Sequence, residues 1–138
     1  MRKFKQAMTL AVGTAAAVAG MVAVSGPASA AYTPAGVCGS GYSVIDQKTI
    51  YGSVTATTYL LYNGSNNCVT TITRSADQGK KAKLCADLQR KSDGAYVSDC
   101  GSYAYYAGPR YLYAKSTCIQ WGGSVGSLGF TSAWEHCG

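Results

Sequence analysis

KAKLCADLQRKSDGAYVSDC, Lys81–Cys100, is the stretch on which the fold turns. Its first half contains good helix formers, yet Ala82, Leu84, Ala86 and Leu88 alternate strictly with Lys81, Lys83, Cys85, Asp87 and Gln89. A period of two puts one apolar face on a strand, whereas a helix would scatter those residues around its axis. Lys91-Ser92-Asp93-Gly94 then reads as a turn, and Ala95–Cys100 as the returning strand. With a four-residue loop, the numbers of facing residues sum to 185, so Cys85 stands opposite Cys100 at bridging distance. The expectation is a hairpin stapled by Cys85–Cys100.

The next stretch, Cys100–Gly123, holds five tyrosines: Tyr103, Tyr105, Tyr106, Tyr111 and Tyr113. It reads as three strands, Ser102–Tyr106, Arg110–Lys115 and Thr117–Trp121, with Ala107-Gly108-Pro109 as the break between the first two. If those two strands pair, Tyr103, Tyr105, Tyr111 and Tyr113 share one face and Tyr106 lies on the other. Such a face is either core, filled by tyrosine for want of leucine, or an aromatic platform for sugars. The core reading carries more weight. The candidate binding rings under the other reading are Tyr105, Tyr111, Trp121 and Trp134. Gly122–Gly129 reads as a mobile Gly/Ser loop, followed by Phe130–Cys137.

Upstream, Gly41–Asp46 reads as a strand. Ser53–Tyr62 (SVTATTYLLY) and Cys68–Arg74 (CVTTITR) read as a hairpin around the five-residue loop Asn63–Asn67, whose Asn-Gly favours positive φ. Ala31–Gly36 reads as a frayed leader tied down at Cys38, and no segment reads as a helix. Short strands every ten residues or so, with turns of Gly, Asn and Ser, define an all-β, disulfide-stapled antiparallel sandwich or small barrel.

Residues 1–30 change the counts. Arg2, Lys3 and Lys5 precede an uncharged Ala/Val/Gly stretch, which closes on Ala28-Ser29-Ala30. That is the pattern of a cleaved secretory signal peptide. Cleavage after Ala30 leaves residues 31–138, a single β domain of 108 residues (138 less 30). Three of the twelve basic residues depart with the leader, leaving nine against six acidic groups, a net +3. The basic residues are too sparse for a nucleic-acid binder, and no second apolar stretch is long enough to span a membrane.

All six cysteines fall after residue 30. An even count in a small exported domain reads as a disulfide framework, and without a C-x-x-C pair neither zinc nor redox chemistry is expected. Besides Cys85–Cys100, local pairing gives Cys38–Cys68 and Cys118–Cys137. Cys38–Cys118 with Cys68–Cys137, and Cys38–Cys137 with Cys68–Cys118, stay open.

Little in the sequence suggests a reaction. The sole histidine, His136, follows Glu135 directly, and neighbours on a strand point to opposite faces. There is no G-x-S-x-G nucleophile motif. Asp87 and Asp99 lie one step out of register on the same hairpin, which argues against a glycosidase-like pair. No phosphate loop, metal cluster or cofactor motif is visible, so no catalytic residue, metal or cofactor is expected. A small hydrolase built on His136 is the enzymatic alternative.

The pieces CGSGYSVID, YLLYNGSNNCVTTI, DCGSYAYYAGPRYLYA, CIQWGG and the terminal HCG together resemble the spore-associated protein A family of filamentous spore-forming bacteria. The likeness runs over essentially the whole chain after the leader. It implies a small exported protein found with spores, with no enzymatic activity assigned. It also implies that the cysteines matching Cys38, Cys68, Cys118 and Cys137 are usual in the family and that Cys85 and Cys100 are an addition. The expected function is a secreted, non-enzymatic protein of the spore surface or cell envelope, with spore-wall or cell-wall polymers as partners. A carbohydrate-binding, lectin-like module is the alternative. A secreted inhibitor or toxin, presenting Gly122–Gly129 as its loop, is a further one.

Overall fold

The computed structural model describes residues 32–138, so the expected leader at 1–30 lies outside the described residues. The elements are α1 (Pro34–Cys38), β1 (Ser43–Tyr51), β2 (Thr55–Tyr62), β3 (Asn66–Thr73), a 3-10 turn (Ser75–Asp77), β4 (Ala82–Arg90), β5 (Tyr96–Tyr103), β6 (Tyr106–Tyr113), β7 (Ile119–Val125) and β8 (Leu128–Thr131). They form two four-stranded antiparallel sheets, ordered β1-β2-β3-β6 and β5-β4-β7-β8, packed as a sandwich. The sheets do not close into a barrel.

The deciding hairpin is β4–β5, with Cys85 opposite Cys100 and the two bridged. Leu84, Ala86 and Leu88 are fully buried, as the alternation requires. The other bridges are the local pairs Cys38–Cys68 and Cys118–Cys137. The β2–β3 loop is three residues rather than five. Asn63 Oδ1 accepts the Ser65 and Asn66 amides at 3.0 and 2.7 Å, which turns the chain early and lets Asn66 and Asn67 join the ladder.

Four expectations are corrected. The segment before Cys38 is a one-turn helix: Thr33 caps it through the Gly36 amide and Pro34 presets the first turn. Gly108-Pro109 lies within β6, not between strands. It forms a bulge opposite Val69–Thr71, where a Cβ on Gly108 would meet the Val69 carbonyl at 2.7 Å. The chain crosses between sheets earlier, at Ala104-Tyr105, so β5 and β6 belong to different sheets and their tyrosines do not share a face. Gly122 and Gly123 lie inside strand β7, and the turn is Gly126-Ser127. Glycine is needed there for space rather than mobility.

The core is aliphatic: Leu60, Val69, Leu84, Leu88, Ile119 and Val125 fill the interior, with Trp121 among them. At its centre the sheets come too close for side chains on both. Thr71 Oγ1 donates to the Cys85 carbonyl at 2.8 Å, so its lone pair takes the Thr58 hydroxyl proton at 2.7 Å. A Cβ on Gly123 would overlap Thr58 Oγ1 and lie 2.7 Å from Thr71 Oγ1. Asp77 locks the crossover from β3 to β4. Buried, it accepts the Thr55 amide at 2.8 Å, Arg74 Nε at 2.7 Å and Lys80 Nζ at 3.2 Å. The Thr55 N–H foremost, then Arg74, holds its carboxyl at about 2.

Gly123→Ala should destabilise the fold by about 1–3 kcal/mol through overpacking, read as a lowered urea midpoint at constant slope. Because Asp77 titrates lower in the folded chain than the usual 3.8, its contribution is present above that value and is lost as pH falls towards 2. Melting temperature should therefore fall between pH 4 and pH 2. The fall should be shallower in Asp77→Asn, with the remaining slope coming from Asp93, which Arg90 likewise holds at about 2.

Candidate functional site

Two surfaces gather chemistry. The first is the outer face of the β1-β2-β3-β6 sheet. Leu60 and Val69 point into the sandwich, so Leu61 and Cys68 point out, where with Cys38 they make a second small cluster against which Tyr42 and Tyr59 pack. Helix α1 lies over β2, β3 and β6 and is pinned by Cys38–Cys68. Tyr111 faces Cys68 across the ladder, donates its hydroxyl to the Cys38 carbonyl at 2.7 Å, and has its ring 5.6 Å from that of Tyr42. Burial of that hydroxyl raises its pKa. Before the helix, Tyr32 stacks obliquely on both Tyr105 and Tyr106, each at 5.2 Å. Tyr113 continues the face beyond Tyr111 and is 57% exposed.

The four candidate rings separate. Tyr105 and Tyr111, each 42% exposed, belong to this outer face. Trp121 does not: it is 3% exposed, with its ring edge-on to Phe130 at 5.0 Å in the core. Trp134 lies in the C-terminal tail under Lys91 Nζ, 5.9 Å from its ring centre. The core is therefore filled by aliphatic residues and Trp121, while most of the tyrosines stay at the surface. Tyr103 is the exception that packs against the core, donating its hydroxyl to Asp99 at 2.6 Å, an acceptor that raises its pKa.

The second surface is where the tail returns to β1. Glu135 makes a two-way backbone bridge to Ile119, with both bonds at 2.9 Å, and Cys137 is tied to Cys118. Between them His136 adopts a left-handed backbone, φ +53. The rule that strand neighbours diverge fails at such a residue, so Glu135 and His136 turn the same way. His136 Nε2 lies 3.0 Å from Asp46 Oδ2 and 3.8 Å from Glu135 Oε1. Trp121 Nε1 donates to the same Glu135 oxygen at 2.8 Å. Clefts flank the trio. Ile45, Tyr62, Asn67, Ala114 and His136 line one of about 200 Å³, and Lys48, Trp121, Phe130 and Ser132 contribute to another of about 340 Å³.

The acidic pair Asp87 and Asp99 comes apart. Asp99 faces Ala86 across the ladder and points inward, where it accepts Tyr103 and the Gly108 amide; Asp87 is on the outer face, and burial raises its pKa. One step of register places them on opposite sides of the sheet. Sequence reasoning missed the Asp46 partnership, because nothing local in either segment relates residues 90 positions apart.

This is a small, disulfide-stapled β sandwich with an aromatic outer face. The chain is 37% identical over 130 residues to spore-associated protein A of Streptomyces coelicolor, covering 93% of this chain and 82% of that protein, and it belongs to the spore-associated protein A family. No family model matches the chain. No solved structure matches it either.

The Trp121–Glu135 bond should hold the tail in place. Glu135→Gln, which keeps an acceptor, should leave Trp121 emission unchanged, whereas Glu135→Ala should lower stability by about 1–3 kcal/mol for the buried indole N–H left without its acceptor, measured by urea denaturation.

Proposed function

We propose that this protein is a secreted, non-enzymatic component of the spore surface or cell envelope, and that it holds wall polysaccharide against the tyrosine-lined outer face of the β1-β2-β3-β6 sheet. The observation that carries the reading is the braced pair of aromatic groups on that face, Tyr32–Tyr105–Tyr106 and Tyr42–Tyr111, either side of α1. Tyrosine rings offer sugars a flat apolar surface with a hydroxyl at the rim, and they lose little side-chain freedom on binding when already packed. The three disulfides suit an oxidising location outside the cell. The relative's name links it to spores, and the bearing of that name on this chain is location. The inhibitor or toxin reading loses its motive, since Gly122 and Gly123 belong to a strand rather than a presented loop.

Retention of the protein on purified cell-wall and spore-wall polysaccharide is the test. Tyr105→Ser with Tyr111→Ser should weaken retention about tenfold, on the order of two aromatic contacts. Tyr96→Ser, an exposed tyrosine on β5 of the other sheet, should leave it unchanged. Equal retention of all three proteins would overturn the proposal.

A further inference from the structure

We propose that Asp46, Glu135 and His136 form a binding site for a divalent first-row transition ion of the zinc type, one that fastens the C-terminal tail to β1. One donor atom from each residue lies within 4.8 Å of the other two. A metal held at about 2.0–2.2 Å by each of two ligands places those ligands roughly 3–3.6 Å apart. The His136–Asp46 separation of 3.0 Å already fits, and the His136–Glu135 separation of 3.8 Å needs a side-chain adjustment of a few tenths of an ångström.

The three groups are braced independently. Asp46 stands on β1 at the register shift after Val44. Glu135 is fixed by its backbone bridge to Ile119, and His136 by the disulfide at the next residue. The Trp121 indole donates to Glu135 Oε1, the oxygen that also lies 3.8 Å from His136 Nε2; the bond orients the carboxylate and leaves the second lone pair of that oxygen to bind. A donor behind a ligating carboxylate is a regular feature of built metal sites. His136 takes up the left-handed backbone that aims its ring at both carboxylates.

Charge favours a cation. Two carboxylates share one imidazole here, and Lys48, which lines the adjoining cleft, has its ammonium 5.7 Å from the Phe130 ring centre and forms no ion pair with either acid. All three residues are partly exposed, so an ion can enter and water can complete its coordination. An imidazole nitrogen selects zinc, copper or nickel over magnesium and calcium, which prefer oxygen throughout.

The chain contains a single histidine, so its imidazole signals report on this site alone. The experiment titrates the untagged, oxidised protein with ZnCl2, following those signals by NMR, the heat by calorimetry and the melting temperature. The expected result is saturable 1:1 binding that shifts the His136 resonances and raises the melting temperature, with MgCl2 giving neither. Asp46→Asn, which keeps the size of the side chain, should weaken zinc binding at least tenfold, and His136→Ala should abolish it. Unmoved His136 signals at millimolar zinc, or Asp46→Asn binding as the native chain does, would overturn the proposal. The native titration decides the matter even if a variant folds poorly.

Discussion

The contact on which this sandwich depends is the close approach of its two sheets at Gly123. Thr58 and Thr71 meet there in a hydroxyl chain that ends on the Cys85 carbonyl, and the opposing strand can pass only because residue 123 has no side chain. Two polar side chains are thereby buried with their hydrogen bonds satisfied, so the interior loses little by including them. The same contact sets the register of β2, β3, β4 and β7 with respect to one another. Aliphatic residues fill the space on either side of it.

That narrow middle explains the distribution of aromatic residues. A core this thin, built on Leu, Val, Ile, Ala and Thr, has room for Trp121 but not for eleven tyrosines. Most of them are displaced outward, and on the β1-β2-β3-β6 sheet they meet α1 and the Cys38–Cys68 bridge. The helix is one turn long and could not persist alone. The bridge and the Tyr111 hydroxyl hold it against the sheet, and it in turn holds the tyrosines. The surface that the proposed function uses is in this sense a consequence of how small the interior is.

The C-terminal tail shows the same economy. Its seven residues after β8 form no further ladder beyond the single bridge at Glu135, yet they reach β1 through His136 and the core through Trp121. A disulfide to Cys118 keeps that segment in place. The result is that Asp46, Glu135 and His136 stand together although they come from segments far apart in the chain.

The β class, the β4–β5 register and the Cys85–Cys100 bridge were legible in Lys81–Cys100 alone, because strand alternation and hairpin register are local properties of the chain. The two other bridges were one of three pairings that the spacings allowed. What the sequence could not decide was which sheet each strand joins. The switch at Ala104-Tyr105 looks no different from a continuing strand, and Gly108-Pro109 looks like a break although it is a bulge. Whether Gly122-Gly123 was loose or tightly packed depended on Thr58 and Thr71, more than fifty residues earlier in the chain. Tertiary structure alone placed Tyr111 outside, Trp121 inside and Asp46 beside His136, since each position follows from packing between distant segments rather than from any neighbour's preference.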